Sequence, residues 1–295
     1  MRRYPHWLTK PFTSGGTASV VRELVEDLEL ETVCQSALCP NLAECYSQRQ
    51  LTFMILGNQC TRACRFCAVS FGKPEPVRID EPARVAEAIH RLGLRHAVIT
   101  SVARDDLTDE GAAHFVAVIE ATRWRNPGVT LEVLVPDFHG RPELIKLIMD
   151  SQPEIFAHNV ETIERLSPVL RPQADYARSL AVLRMARTLS VGSLIKSSLM
   201  LGLGERWDEV AATLQALLDA GCPHVTLGQY LRPTPMDLPV MEYLSPQRFE
   251  AYARLAYRQG FQWVQAGPFV RSSYHASDAL HPAASLEAVG TESVA

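Results

Sequence analysis

Lysine is scarce in this 295-residue chain: Lys10, Lys73, Lys146 and Lys196 are four of its 29 basic residues, and the other 25 are arginines. That bias suits coding preference or thermal adaptation and carries no mechanism. A basic excess is missing too. The 29 basic residues face 33 acidic ones, a net charge of −4, so the electrostatic footprint of a duplex-DNA binder is absent and nucleic acid is not an expected partner. No stretch reaches the roughly 18 apolar residues of a membrane helix. Residues 1–8 carry charge with no apolar run and small-residue cleavage site behind them. The expectation is a protein of the cytoplasm, or an organelle form without its transit peptide, that has no membrane partner. With 47% hydrophobic and 21% charged residues, disorder is excluded as the dominant state, and one large domain or two modest ones are expected. No internal repeat with a fixed signature is present.

After an N-terminal segment with a short helical stretch at 18–28, the pattern becomes an alternation. Short apolar or β-branched runs at 51–57, 96–102, 130–136, 154–159, 193–201 and 225–231 are separated by amphipathic stretches at 82–92, 110–124, 141–151, 176–189 and 207–220, with another at 247–259. Strand-then-helix units in series predict parallel strands, because parallel neighbours need a crossover of this length. Periodicity alone does not separate an open doubly wound sheet from a complete or partial barrel. Either places ligands at the carboxyl ends of the strands. Polar clusters fall there: Asn58-Gln59-Cys60, Thr100-Ser101, His158-Asn159 with Glu161, and Gln229-Tyr230. The tail after Asp278 is small and polar, and disorder is expected there.

Six of the seven cysteines fall within 34 residues. Cys60, Cys64 and Cys67 form C-x3-C-x2-C directly after the first strand, which puts three thiols on one loop at the catalytic end of the sheet. Three convergent thiolates suit a soft metal or an iron–sulfur cluster, whereas structural zinc wants a fourth ligand and usually pairs of closely spaced ligands. Cys34, Cys39 and Cys45 form a second triplet, C-x4-C-x5-C, ending fifteen residues before Cys60. Its bland reading is a zinc knuckle or three incidental cysteines; with the first triplet beside it, a second cluster lacking one protein ligand is the better account. Cys222, at a helix end, reads as a small buried hydrophobe.

The first triplet, with Phe66 before its last cysteine, resembles the radical S-adenosylmethionine superfamily. Both triplets together, with Arg271-Ser272-Ser273-Tyr274, resemble the lipoyl synthase family. Further similarities are Pro40-Asn41-Leu42-Ala43-Glu44, Arg104-Asp105-Asp106-Leu107, His158 to Thr162, Arg171-Pro172-Gln173-Ala174-Asp175-Tyr176, Leu199 to Glu205 and Gly228-Gln229-Tyr230-Leu231. The chain departs from the family at Ala103, where Asp is frequent, at Ser198, where Gly is frequent, and at Arg232, where Gln is usual.

The resemblance implies a partial (β/α)6 TIM-type barrel at 51–260 with an N-terminal extension, 1–50, and a C-terminal one, 261–295. It implies S-adenosylmethionine and two 4Fe-4S clusters, one on Cys60, Cys64 and Cys67, the other on Cys34, Cys39, Cys45 and a serine, for which Ser273 is preferred over Ser272. The implied reaction is insertion of two sulfur atoms, at C6 and C8 of a protein-bound octanoyl chain, with the auxiliary cluster as sulfur source. Candidate cofactor contacts are Phe66, Ser101, Asn159, Glu161 and Lys196, the last lying in an apolar strand where it should snorkel, pair with a carboxylate or face the cofactor carboxylate. Implied partners are octanoylated lipoyl carrier domains of 2-oxoacid dehydrogenases or the glycine-cleavage H protein, a low-potential electron donor and an iron–sulfur carrier that rebuilds the second cluster. The rival readings are a radical enzyme with another substrate, and a zinc-binding protein without activity.

Overall fold

The computed structural model describes residues 4–10 and 16–281; the tail beyond His281, where disorder is expected, lies outside them. In chain order the elements are α1 (Gly16–Asp27), β1 (Glu31–Thr32), α2 (Val33–Ser36), α3 (Leu42–Ser47), β2 (Thr52–Ile55), β3 (Gln59–Cys60), β4 (Ser70–Phe71), α4 (Glu81–Leu92), β5 (His96–Ser101), α5 (Ala112–Arg125), β6 (Thr130–Leu134), α6 (Pro142–Asp150), β7 (Ile155–Ala157), α7 (Ser167–Leu170), α8 (Tyr176–Leu189), β8 (Leu194–Leu201), α9 (Trp207–Asp219), β9 (His224–Gln229), α10 (Pro246–Gln259) and β10 (Trp263–Gly267), with a 3-10 turn at Ala276–Leu280. The helices follow from their apolar spacing: α4 buries Val85, Ala88, Ile89 and Leu92, begins with Pro82 in its first turn and stops at Gly93 in the left-handed conformation.

One sheet runs β1-β2-β5-β6-β7-β8-β9-β10, parallel from β2 to β10, with β1 antiparallel on β2. This is the partial barrel that the family resemblance implies, with one strand more: β10, within the segment expected as a C-terminal extension, pairs in parallel with β9 from Trp263 opposite His224 to Gly267 opposite Gly228. The first cysteine triplet in the chain sits on short helices α2 and α3 rather than in irregular backbone, because the Thr32 side chain caps α2 and its hydroxyl lies 2.8 Å from the buried Tyr46 phenol. No helix among the described residues is long and apolar enough to cross a membrane.

The barrel leaves a gap between its edges, and the two extensions meet across it. Asn41 Nδ2 donates to the Phe269 carbonyl at 2.7 Å, Tyr274 donates to Glu44 at 2.8 Å, and Lys10 reaches both Asn41 (2.7 Å) and Glu44. Gly228 permits the approach: a Cβ there would stand 2.1 Å from the Val270 carbonyl oxygen.

Inside the lower barrel, Lys196 of β8 donates to both oxygens of Glu132 on β6 at 2.8 Å, with both side chains buried. The Lys196 ammonium also lies 5.8 Å from the Trp263 ring of β10, so the pair ties three strands. Removing one partner strands a buried charge. Lys196→Met is therefore expected to cost the apo chain about 3–5 kcal/mol in urea unfolding, and Glu132→Leu with Lys196→Met to recover most of it. Burial already pushes the Glu132 carboxyl upward. Without Lys196 its folded pKa exceeds its unfolded value, so the single variant is expected to be more stable at pH 5 than at pH 7, losing stability as pH rises through that window.

Candidate active site

Strand β2 ends in a sharp turn, Leu56 and Gly57 both having positive φ, that delivers β3 and the loop carrying Cys60, Cys64 and Cys67 onto the carboxyl ends of the strands. The loop is clamped from several sides. Cys60 Sγ accepts from the Ala103 N–H at 3.3 Å and the Arg62 N–H at 3.4 Å. Thr61 donates through its N–H to the Ala103 carbonyl and through its hydroxyl to Asp105. Arg62, buried, donates to Asp105 and, at 2.7 Å, to Asp137. The Gln173 amide takes the Ala63 N–H and gives to the Thr61 carbonyl. The Arg-Asp-Asp and Arg-Pro-Gln motifs are thus the fastening of this loop. Ala103 works through its backbone, which explains why an alanine serves at that position.

Cys34 and Cys45 ride on α2 and α3, with Cys39 between them, at the amino-terminal end of β2, opposite the other triplet. From Thr52 to Ile55 the chain rises about 10 Å at strand geometry before the bend at Leu56 and Gly57, so β2 separates the two cysteine sets. Arg271, buried beside Cys39, and Ser272 and Ser273 line the same region. All six cysteines, Phe66, Ser101, Asn159, Glu161, Ser272 and Ser273 line one cavity of about 1310 Å³. Lys196 is not among its walls; its carboxylate partner holds it in the layer beneath, which is the strand-pairing alternative and not the cofactor one.

The chemistry of the donors fits iron–sulfur clusters. All six cysteines are free thiols. Burial pushes Cys34 and Cys64 up to about 11, and Cys45 and Cys67 up to about 12, so these sulfurs become thiolates only against a cation. A single tetrahedral zinc draws its sulfurs to about 3.8 Å of each other. Among the described residues the three-donor group within 4.8 Å is Asp105, Glu110 and His139, and neither triplet is so tight.

At the upper end of the cavity, several buried polar atoms have no partner among the described residues: Ser101 Oγ, Asn159 Oδ1 and His158 Nε2. Asn159 donates to Glu161 at 3.0 Å, and burial raises the Glu161 carboxyl. His158 Nδ1 lies 2.9 Å from the Val135 carbonyl, which only accepts, so the proton is on Nδ1 and Nε2 offers a lone pair. Burial, then the Arg171 charge, pushes this imidazole down to about 4. Unpartnered buried atoms converging at strand ends are the mark of a missing polar ligand, and they fit S-adenosylmethionine. Sequence reading passed over the His158 ring, since only its tertiary neighbour fixes the tautomer.

Comparison with known proteins agrees. The model of the radical SAM superfamily matches residues 54–217. The lipoyl synthase of Rubrobacter xylanophilus is 50% identical over 93% of this chain and 85% of its own. The lipoyl synthase of Caldanaerobacter subterraneus is 49% identical, covering 94% and 97%. The chain belongs to the lipoyl synthase family. Membership in that family and superfamily brings S-adenosylmethionine and a 4Fe-4S cluster as cofactors. Among solved structures, methylornithine synthase superposes with a TM-score of 0.55 at 15% identity over 82% of this chain and 74% of that one. A maturase of the FeFe-hydrogenase gives 0.57 at 15% over 85% and 64%. Both share the fold.

Glu44 joins the two extensions, and Glu44→Ala frees Tyr274 and leaves Lys10 on Asn41 alone. Amide exchange over 268–281 is then expected to accelerate about tenfold while β5 amides stay as protected as in the parent.

Proposed function

We propose that this chain inserts two sulfur atoms, at C6 and C8 of an octanoyl group carried on a lysine of a lipoyl carrier domain. The observation that carries the reading is the pair of cysteine triplets at opposite ends of one cavity, with an apolar wall of Met54, Val98, Leu134 and Leu199 between them. Cys60, Cys64 and Cys67 are the ligands of one 4Fe-4S cluster. Cys34, Cys39 and Cys45 hold a second, with Ser273 as its fourth ligand. When bound, the reduced first cluster and S-adenosylmethionine supply a 5′-deoxyadenosyl radical that removes hydrogen from the acyl chain, and the second cluster supplies sulfur.

The chain's own residues do the rest. Ser101, His158, Asn159 and Glu161 orient the cofactor's amine and hydroxyls, Phe66 covers it, and Lys196 steadies the barrel floor beneath. Arg62, fixed by two carboxylates, keeps the cysteine loop in one position as charge changes nearby. The apolar wall holds the acyl chain extended and excludes water from a reactive intermediate. A hydroxyl ligand among thiolates is the weak corner of the second site. A low-potential electron donor, an iron–sulfur carrier that restores that site, and a carrier domain from a 2-oxoacid dehydrogenase or the glycine-cleavage H protein complete the set of partners, in the cytoplasm.

After anaerobic reconstitution, about eight irons per chain are expected, falling to about four when Cys34, Cys39 and Cys45 are all changed to Ala. Zinc, or four irons in both proteins, would overturn the reading. Ser273→Ala is expected to keep cleavage of S-adenosylmethionine and to lower sulfur insertion at least tenfold. Undiminished insertion with eight irons would remove Ser273 as the ligand.

A further inference from the structure

The wall that joins the two cysteine sites continues below both of them. The inward residues of β5 descend from Thr100 through Val98 to His96, and all three line the cavity. At this lower end the lining includes Gln50, Leu94, Arg95, His96, Gly128 and Thr130, with Leu280 and His281 also on the wall; Arg95 and Gly128 are exposed, so among the described residues the cavity has a second mouth at the amino-terminal end of the barrel.

Two acceptors without donors sit at that mouth. The Thr130 hydroxyl lies 3.2 Å from the Arg95 carbonyl and 2.8 Å from His96 Nδ1; when it donates to the carbonyl, its oxygen accepts from Nδ1. The ring proton is then on Nδ1, and Nε2 is a lone pair, buried and without a partner among the described residues. Burial, then the Lys196 charge, pushes His96 down to about 4, keeping the ring neutral. Thr52 stands opposite Val98, and extending that register by two residues puts Gln50 opposite His96. Gln50 Oε1 is likewise buried without a partner. Orphaned acceptors on adjacent strands call for a ligand that brings an N–H.

We propose that the acyl-lysine arm enters through this lower mouth and donates its amide N–H to His96 Nε2, beside Gln50, with the acyl chain running upward along β5. The inference rests on the reading under Proposed function and adds the route and the anchor. The upper end carries the cysteine loop and the orphaned atoms that fit the cofactor, so an arm entering from below leaves both in place. The lengths agree. An extended chain advances about 1.2 Å per bond, so the eight bonds from the amide nitrogen to C8 span about 10 Å. At strand rise Val98 lies about 7 Å and Thr100 about 13 Å above His96. C6 and C8 thus arrive between Val98 and Thr100, below Ser101 and between the two cysteine sites.

The test uses the anaerobic reconstituted enzyme and an octanoyl-lysyl peptide with a diazirine residue beside the lysine. Photo-adducts mapped to 93–95 and 127–130 are expected; adducts confined to 231–238, at the upper rim, would overturn the route. His96→Phe is expected to weaken binding of the peptide fivefold to tenfold, the worth of one hydrogen bond, with the affinity for S-adenosylmethionine unchanged. The ester analogue, with oxygen in place of the amide N–H, is expected to bind parent and variant equally. Equal weakening of amide and ester would mean that His96 only shapes the wall and would overturn the anchor. The two failures are separable: a parent that thiolates the peptide yet shows upper-rim adducts refutes the route alone, whereas a parent that neither binds nor thiolates it refutes both readings.

Discussion

The length of β2 is the constraint on which the rest depends. Cys45 and Cys60 are fifteen residues apart. That interval is taken up by the end of α3, a turn, the short strand β2 and the tight bend at Leu56 and Gly57. Two sets of soft ligands that are neighbours in the chain are thereby held at opposite ends of a cavity.

Holding such a cavity open is an electrostatic problem as well as a packing one. The upper loop is fixed by Arg62 between Asp105 and Asp137, and the lower closure by Lys10 between Asn41 and Glu44. Both arrangements put a cation among acceptors close to cysteines that burial would otherwise keep protonated. Below the cavity, Glu132 and Lys196 fill the barrel where apolar side chains would be usual. A buried pair of this kind adds little net stability over a packed apolar pair, and its value is that it ties β6, β8 and β10 in one register.

Much of the fold was legible in the residues. Each of the six expected strands is present within a few positions, because burial on both faces leaves continuous β-branched runs, and the helices follow their 3.6-residue spacing. The seventh strand lies in the segment expected as a C-terminal extension, since five residues carry no sign of the neighbour they pair with. Lys196 shows the limit well. An ammonium in an apolar strand announces a partner, but the partner is sixty-four residues away on a strand that does not adjoin it.

By itself the sequence determined the donor chemistry and the strand-helix series: six clustered thiols at two spacings, polar residues at strand ends, and an arginine–serine motif near the end of the chain. These are local properties, set by which side chains follow one another and by the period of their hydrophobicity. Only the tertiary structure decided that the two triplets face one cavity from opposite ends, and that the Arg271 to Tyr274 segment returns across the barrel gap to the first extension. It alone leaves His96, His158 and Gln50 with atoms that nothing among the described residues satisfies. Whether a polar atom is paired depends on residues distant in the chain, so no reading of spacing could have supplied it.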